Sequence, residues 1–201
     1  WGENSQNEYG GPLSKINNNI LNRSWLEEFG GLLGLRVSDM HSAYKIDTKD
    51  LLPYIYPSDD ELKKSNITGI FLGHYINWDG HKNAEIATSN GFTPYHKIVE
   101  GTATEYENLD NHQHGIHDYF KYIKYGFSRA TDQVCMAIRR KKISRIDGIE
   151  IIKKYDGIYP NIYLGKKLED ILKEIGINKK QFDTICDQFT NKKLFKLNNK
   201  K

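Results

Sequence analysis

Apolar residues recur at helical spacing through the second half of the chain. Ile116, Phe120, Ile123 and Phe127 fall on one face of a helix, since they stand four, seven and eleven positions apart. Four more stretches share this period, and their defining residues are Ala130, Val134, Ala137 and Ile138; Ile146, Ile149 and Ile152; Leu164, Leu168, Ile171, Leu172 and Ile175; and Phe182, Ile185, Cys186 and Phe189. Ser144 with Asp147 and Asn178 with Gln181 supply cap patterns for two of them. The pattern therefore predicts five successive helices from about residue 116.

The first half of the chain is less regular. Capping patterns at Ser24 and Ser58 predict two short helices, and a third is expected around residues 51–55 before Pro57. A fourth helix is expected over about 81–90, ending at Gly91, and residues 92–114 are irregular and polar.

One segment predicts a β-strand, residues 67–76. It is short, apolar through its middle and bounded by polar residues, a pattern typical of a buried strand in a parallel sheet. A single strand cannot form a sheet, so its partner strands must come from segments of this chain with a less clear strand pattern or from another polypeptide. The fold class is thus α/β and mostly helical, with few strands.

Composition narrows the class of protein. The chain has 201 residues, a mean hydropathy of −0.68 and no apolar run near the roughly 20 residues that span a bilayer. Two cysteines, Cys135 and Cys186, make no disulfide framework, and both fall in helical patterns as small apolar groups. These features indicate a cytoplasmic protein without a membrane segment.

Charge is divided unevenly along the chain. Residues 1–120 hold 9 Lys and Arg against 17 Asp and Glu, whereas residues 121–201 hold 20 against 9. The basic second half has either an anionic partner or the acidic half as its complement, and many of its lysines are expected to be solvated surface.

Several groups of residues could carry chemistry. His112, His114 and His117 resemble a metal cluster, but their spacing runs from a loop into a helix and no acidic or cysteine ligand stands at a familiar offset. We therefore predict no metal site, and keep His117 as a hydrogen-bonding or acid–base residue.

The stretch from Lys124 to Thr131 has the features of an anion site. A glycine, Gly126, separates two helices, and Arg129 and Thr131 open the second one. Helix starts favour anions through their N–H groups, and Arg offers a two-pronged donor to phosphate. A plain helical corner with surface charges is the alternative.

Two further groups of polar residues are candidate binding sites. Tyr75, Trp78 and Asp79 follow the predicted strand, where ligands of an open sheet bind, and they suit a sugar or nucleotide. Glu3 and Asn4 offer a carboxylate and an amide near the start of the sequence.

Taken together, these pieces resemble one family, the N-acetyl sugar amidotransferases, which are PP-loop ATP-pyrophosphatase-type enzymes of bacterial surface-glycan synthesis. The resemblance runs in order over residues 1–160, and the matching stretches are Trp1-Gly2-Glu3-Asn4, Glu8-Tyr9-Gly10-Gly11, Phe71-Leu72-Gly73-His74-Tyr75, Trp78-Asp79 with Asn83, Glu100-Gly101-Thr102 with Tyr106, Leu109-Asp110, Gly115-x-His117-x-Tyr119, Lys124-Tyr125-Gly126-Phe127, Arg129-Ala130-Thr131, Ile138-Arg139 and Lys154-Tyr155-Asp156-Gly157 before Pro160.

The resemblance implies an activity. Members of this family help convert an N-acetyl group on a sugar into an acetamidino group, in lipopolysaccharide O-antigen or flagellin glycan biosynthesis with nonulosonic acids among the sugars. ATP activates the amide oxygen as an adenylate, and ammonia displaces it. The resemblance also implies partners: a glutaminase and an ammonia-channel companion protein, with the N-acetylated sugar as substrate.

One family element is missing from these 201 residues. The Ser-Gly-Gly-x-Asp-Ser loop that centres the family's nucleotide site has no counterpart, and Tyr9-Gly10-Gly11-Pro12 is no substitute. We therefore expect the carboxy-terminal half of such an enzyme, inactive by itself, with ATP and Mg²⁺ bound through the other half. Its expected parts are the end of an α/β nucleotide-binding-type domain with a helical insertion over 1–95, a helical domain over 96–191 and a flexible Lys-rich tail over 192–201.

The resemblance also suggests roles for the residues already named. Lys124, Arg129 and Thr131 are expected to contact ATP phosphates or pyrophosphate, and Glu3 and Asn4 to line the same cleft. The residues expected to contact the sugar or position ammonia are Tyr75, Trp78, Asp79 and His117, and the expected catalytic residues are Lys124, Arg129 and His117.

Two other functions remain open at this stage. One is a non-catalytic module that binds an anionic partner such as nucleic acid, although the basic half lacks a strand platform with interleaved aromatic residues. The other is part of a PP-loop enzyme that acts on tRNA.

Overall fold

The computed structural model describes residues 20–23, 25, 36–76 and 78–195 of the chain. The elements in that part are, in chain order, β1 (Ile20–Leu21), α1 (Val37–Tyr44), α2 (Thr48–Leu51), a 3₁₀ turn (Leu52–Tyr54), α3 (Asp59–Lys64), β2 (Gly69–Ile70), a second 3₁₀ turn (Leu72–His74), α4 (Gly80–Ser89), α5 (His114–Tyr125), α6 (Arg129–Arg139), α7 (Arg145–Tyr155), β3 (Ile162–Tyr163), β4 (Lys166–Lys167), α8 (Leu168–Glu174) and α9 (Lys179–Phe189). The predicted class, mostly helical with few strands, is confirmed.

The starts of α3 and α9 follow the predicted cap residues, whereas the start predicted at Ser24 lies outside the described residues. The Ser58 side chain accepts from the Glu61 N–H at the start of α3, and the Glu61 carboxylate accepts from the Ser58 N–H in return. Asn178 and Gln181 form the same reciprocal pair at α9. Each such pair satisfies two N–H groups that have no partner inside the helix, so short local sequence patterns fix these boundaries.

The predicted strand over 67–76 is wrong in length and in pairing. Only Gly69–Ile70 is strand, and it pairs antiparallel with Ile20–Leu21. The backbone then forms the second 3₁₀ turn, in which the N–H groups of His74 and Tyr75 donate to carbonyls three residues earlier. Local hydrogen bonds have replaced the ladder bonds that a longer strand would need.

The predicted helix from Leu164 to Ile175 begins later than its apolar spacing suggests. Residues 162–167 form a hairpin whose strands pair Ile162 with Lys167 and Tyr163 with Lys166, and α8 begins only at Leu168. Leu164 and Gly165 make the turn with φ of +48° and +80°. Glycine adopts this conformation readily but leucine rarely does, so the residue types at this turn do not predict a hairpin.

Contacts divide the chain into two compact units, Trp1–Asn83 and Ala84–Lys201. In the first unit, Trp25, Leu51 and Phe71 are buried, and the rings of Trp25 and Phe71 meet edge to face at 4.7 Å between centroids. The domain boundaries predicted after residues 95 and 191 stay predictions.

The second unit contains two apolar clusters. One joins Ile123 of α5, Leu168 and Leu172 of α8, and Phe182 and Cys186 of α9. The second cluster consists of the buried residues Val99, Tyr163 and Ile171. The apolar face predicted for residues 116–127 therefore packs mainly through its middle, while Phe127 lies beyond the end of α5.

Burial of ionisable groups in this core makes the fold sensitive to alkali. Burial raises the pKa of the Cys186 thiol from 9.0 to about 11 and that of the Tyr159 phenol from 10.0 to about 12, and it also raises the pKa of Tyr163. The unfolded chain releases these protons at lower pH than the folded chain does. The stability that these groups contribute is therefore fully present below about pH 9 and is lost progressively between about pH 9 and 12.

Denaturant unfolding across this pH range measures the effect. In the Cys186→Ala variant the thiol contribution is lost, so the decline between pH 9 and 11 should be shallower than in the wild type. Cys135→Ala retains the buried thiol and is the matched control. Equal slopes for the two variants would contradict the assignment.

Candidate functional site

The turn between α5 and α6 organises the candidate site. α5 ends at Tyr125, and Gly126 follows with a φ of +82° and donates its N–H to the Tyr122 carbonyl at 2.7 Å. This conformation favours glycine and ends α5 three residues before the next helix begins at Arg129. Ser128, which is buried, then precedes α6 and donates its hydroxyl to the Asp118 carbonyl at 2.8 Å.

The N-terminus of α6 is capped by a carboxylate from another part of the chain. The Asp156 carboxylate accepts from the Ser128 N–H at 2.9 Å and from the Thr131 N–H at 3.3 Å, and it also accepts from the Thr131 hydroxyl. A carboxylate that caps a helix start contributes about 0.5–2 kcal/mol. The N–H groups at the start of α6 are therefore already occupied by a carboxylate of the protein, Asp156.

A buried carboxylate lies on the α5 side of the same turn. Asp118 is 2 % exposed, and its Oδ1 lies 2.9 Å from Nδ1 of His117. Its Oδ2 lies 3.6 Å from Nε of Arg129, too far for a hydrogen bond. Both Oδ2 of Asp118 and Nε of Arg129 are buried without a hydrogen-bond partner. The structure thus brings His117 and Arg129 together through a residue that sequence reasoning had not singled out.

Lys124 lies apart from this cluster. Its Nζ lies 5.5 Å from the ring centroids of Tyr125 and of Phe189, in cation–π geometry. Thr131 donates to Asp156, and Arg129 faces Asp118, so the three predicted phosphate ligands do not converge on one unfilled anion site in this arrangement. The phosphate-binding roles of Lys124, Arg129 and Thr131 stay predictions.

The predicted sugar-contacting residues 75–79 belong to the other unit. Tyr75 is 59 % exposed after the second 3₁₀ turn, Trp78 is half-buried, and Asp79 is buried. The Asp79 carboxylate accepts from the His81 N–H at 3.0 Å, which places it as a cap for α4. Glu3 and Asn4 lie outside the described residues. The sugar-contacting roles of Tyr75, Trp78 and Asp79 and the phosphate-cleft roles of Glu3 and Asn4 stay predictions.

The three clustered histidines have separate surroundings. Nδ1 of His114 lies 3.6 Å from Oδ1 of Asp110, His117 contacts Asp118, and His112 is exposed. Within the described part of the chain, no three His, Cys, Asp or Glu side chains are grouped so that they could hold a metal ion.

Two glycines bring motif segments into direct contact. A Cβ on Gly115 would lie 2.6 Å from Cδ2 of Tyr163, and a Cβ on Gly157 would lie 2.4 Å from the ring of Tyr122. Only glycine allows such close approach, since real Cβ atoms do not come nearer than about 3 Å. The Gly115 and Asp156-Gly157 motifs therefore serve to pack α5 against the segment that follows α7.

A polar bridge ties the loop after residue 99 to α6. Gln133 donates its side-chain amide to the Glu107 carboxylate at 2.8 Å and to the Thr104 hydroxyl at 3.1 Å. Its carbonyl oxygen accepts from the Ala103 N–H at 2.6 Å. The Glu100-Gly101-Thr102 motif is thus held beside the α5–α6 turn.

The part of the chain that contains this cluster matches the model of a known protein family. Residues 100–201 match the model of the family described as "LPS biosynthesis protein WbpG-like, C-terminal domain". The chain belongs to this family of lipopolysaccharide-biosynthesis proteins. A search of curated proteins finds no match to the chain.

The basic half of the chain neutralises part of its own charge. Lysines of this half are paired with nearby carboxylates, and the pairs are Lys121 with Asp132, Lys153 with Glu150, Lys166 with Glu174, and Lys179 with Asp183. These contacts reduce the positive charge available to an external anion. None of the helices in the described residues is both long enough and apolar enough to span a lipid bilayer.

Proposed function

We propose that this chain is part of an ATP-dependent amidotransferase that converts a sugar N-acetyl group into an acetamidino group during lipopolysaccharide biosynthesis. The biosynthetic family is shown by the match over residues 100–201, and the amidotransferase activity is the further step. In this reaction the amide oxygen leaves and one nitrogen from ammonia takes its place, while ATP is split to AMP and pyrophosphate. A partner glutaminase supplies the ammonia through a channel protein, in the cytoplasm.

One observation supports this proposal best: motif residues from separate segments meet at the α5–α6 turn. Asp118 contacts His117 and faces Arg129, and Asp156 holds Ser128 and Thr131. The three motifs that contain His117, Arg129 and Asp156 therefore meet in one small region. Such convergence is expected when residues act on one ligand.

His117 has the geometry of a proton acceptor in this scheme. The 2.9 Å contact between its Nδ1 and the Asp118 carboxylate places the ring proton on Nδ1, which leaves Nε2 as a basic nitrogen. Ammonia that has added to the activated amide carbon carries an excess proton, and an imidazole can remove it. The side chain of His117 is 66 % exposed, so it can exchange that proton with solvent.

A reconstituted reaction tests the proposal. The chain is combined with a polypeptide that carries a Ser-Gly-Gly-x-Asp-Ser loop and incubated with ATP, ammonium and an acetamido sugar nucleotide, and the product is analysed by mass spectrometry. We expect replacement of one oxygen by NH with equimolar AMP and pyrophosphate, and none without the partner half. AMP formation on tRNA but not on the sugar would instead favour a tRNA-acting enzyme. Binding of nucleic acid that weakens steeply with salt, without any turnover, would favour the binding module.

A further inference from the structure

Exposed apolar side chains surround the C-terminal end of α5, within the second unit. They are each between 40 and 58 % exposed, and they are Tyr125, Phe127, Phe189 and Leu194. Apolar side chains gain stability when they are removed from water, so a cluster of them on the surface indicates a site of interaction. We call these four residues the α5 patch.

The turn after α9 is fixed beside the end of α5. The Asn191 backbone N–H donates to the Ile123 carbonyl at 2.9 Å, and its side-chain amide donates to the Lys124 carbonyl at 3.2 Å. These bonds satisfy two carbonyls that have no partner inside the helix. Leu194 then comes within 3.3 Å of the position that a Cβ on Gly126 would occupy. The patch is therefore assembled by the fold from segments that are distant in sequence.

Lysine side chains lie among the rings of the patch. Nζ of Lys124 lies 5.5 Å from the ring centroids of Tyr125 and of Phe189. Nζ of Lys121 lies 5.0 Å from the ring centroid of Phe127. Because each ammonium group lies beside a ring, cationic and apolar groups reach the same surface together.

The sequence that follows α9 adds positive charge. Residues 190–201 contain five lysines and neither Asp nor Glu. Two of these, Lys192 and Lys193, are exposed on the turn that carries Leu194. The apolar patch therefore borders a basic surface.

Carboxylates of the neighbouring helices cancel only part of this charge. Asp132 of α6 is paired with Lys121. Asp183 of α9 accepts from the Tyr159 hydroxyl, and Asp187 lies one turn later on the same face of that helix. Phe189 is two positions beyond Asp187 and so lies on the opposite side of α9. The surface thus keeps its basic character.

Charge and ring geometry select among the possible partners of this surface. Two copies of the chain joined through the patch would bring the same lysines against one another. Single-stranded nucleic acid stacks its bases on ring faces, but Lys124 and Lys121 lie over faces of three rings of the patch. An anionic lipid surface suits both kinds of group, because its phosphates attract lysine and its interface takes up aromatic and aliphatic side chains.

We infer that the α5 patch binds reversibly to the surface of an anionic phospholipid bilayer. The four apolar side chains enter the interface, and the lysines around them contact lipid phosphates. This binding is independent of the amidotransferase activity proposed above. It gives a role to the lysine-rich end of the sequence, which that reaction does not use.

Co-sedimentation of the 201-residue chain with vesicles tests the inference. The vesicles contain phosphatidylcholine alone or phosphatidylcholine mixed with phosphatidylglycerol. We expect binding to the mixed vesicles that weakens as salt is added, and binding about tenfold weaker or less to phosphatidylcholine alone. Lys192→Gln combined with Lys193→Gln should lower the partition coefficient on mixed vesicles about 25-fold, since each lysine near an anionic surface contributes about fivefold.

A second pair of substitutions tests the apolar part. Tyr125→Ser combined with Leu194→Ser keeps every lysine and should lower binding to the mixed vesicles about tenfold or more. The matched control is Ile146→Ser, which removes an apolar side chain of α7 that is more exposed than either and should bind as the wild type does. Circular dichroism verifies that each variant is folded, and the lysine variants keep the test decisive if the serine variants are not.

Four results would overturn the inference. The first is absence of binding to mixed vesicles, and the second is equal binding to both kinds of vesicle. The third is a loss in Ile146→Ser as large as that in the serine pair. The fourth is a different occupant: a single-stranded oligonucleotide that binds more tightly than the vesicles, or a dimer in sedimentation, either of them lost when Tyr125 and Leu194 are replaced.

Discussion

Replacing His117 with glutamine is expected to lower the amidination rate of the reconstituted enzyme by about 10²–10⁴-fold. Glutamine can still donate an amide N–H to Asp118, so the local contact is preserved. It offers no basic nitrogen, so the proton on the attacking ammonia has no acceptor on α5. The rate is measured as acetamidino product formed at saturating sugar and ammonium.

The control for this variant is another histidine from the same segment. His112 is exposed and outside the cluster, and His112→Gln should retain the wild-type rate. Added imidazole should restore part of the activity of His117→Gln if the missing group is a base. Equal rates for both variants, or a loss in His117→Gln that imidazole leaves unchanged, would exclude the proton-acceptor role.

Replacing Gly157 with alanine is expected to destabilise the chain by about 2–5 kcal/mol. Two costs combine at this position. The φ of +73° disfavours any Cβ by about 1–2 kcal/mol. The new Cβ would also lie 2.4 Å from the Tyr122 ring, and such overpacking typically costs about 1–3 kcal/mol.

The Gly176→Ala variant measures the backbone cost without the steric cost. Gly176 has nearly the same φ, +75°, but no atom lies within 4 Å of the position of its Cβ. Gly176→Ala should therefore show only the backbone cost, about 1–2 kcal/mol. Denaturant unfolding of both variants gives the comparison, and equal losses would show that the Tyr122 ring moves aside without cost.

Periodicity and caps predicted the helices of the second unit well, because their boundaries are set by local hydrogen bonds. α9 begins where Asn178 and Gln181 indicated, and α6 and α7 match their apolar spacing. The hairpin at residues 162–167 was missed because its turn places a leucine at positive φ, against the usual preference. Helix α1, from Val37 to Tyr44, was missed because none of its residues is buried and its apolar period is weak.

The candidate site was predicted only in part, for a different reason. His117, Arg129 and Thr131 stood out by residue type and spacing, and the structure gathers them around one turn. Asp118 resembles a surface carboxylate on a helix, and its burial arises only when α5, Ser128 and residues 157–163 pack together. Asp156 was noted only as a member of a motif, since a contact across 25 residues with Thr131 leaves no periodic signal.

The short connection through Gly126 and Ser128 fixes the spacing between two helices that carry different parts of the site. α5 supplies Asp118 and α6 supplies Arg129, while Ser128 is bonded to both the Asp118 carbonyl and the Asp156 carboxylate. An insertion of one residue here would lengthen the connection by up to about 3.8 Å, which is enough to break the hydrogen bonds of Ser128 and to move Arg129 away from Asp118. Related sequences are therefore expected to conserve the length of this connection, together with the glycine at position 126 and the buried hydroxyl at position 128.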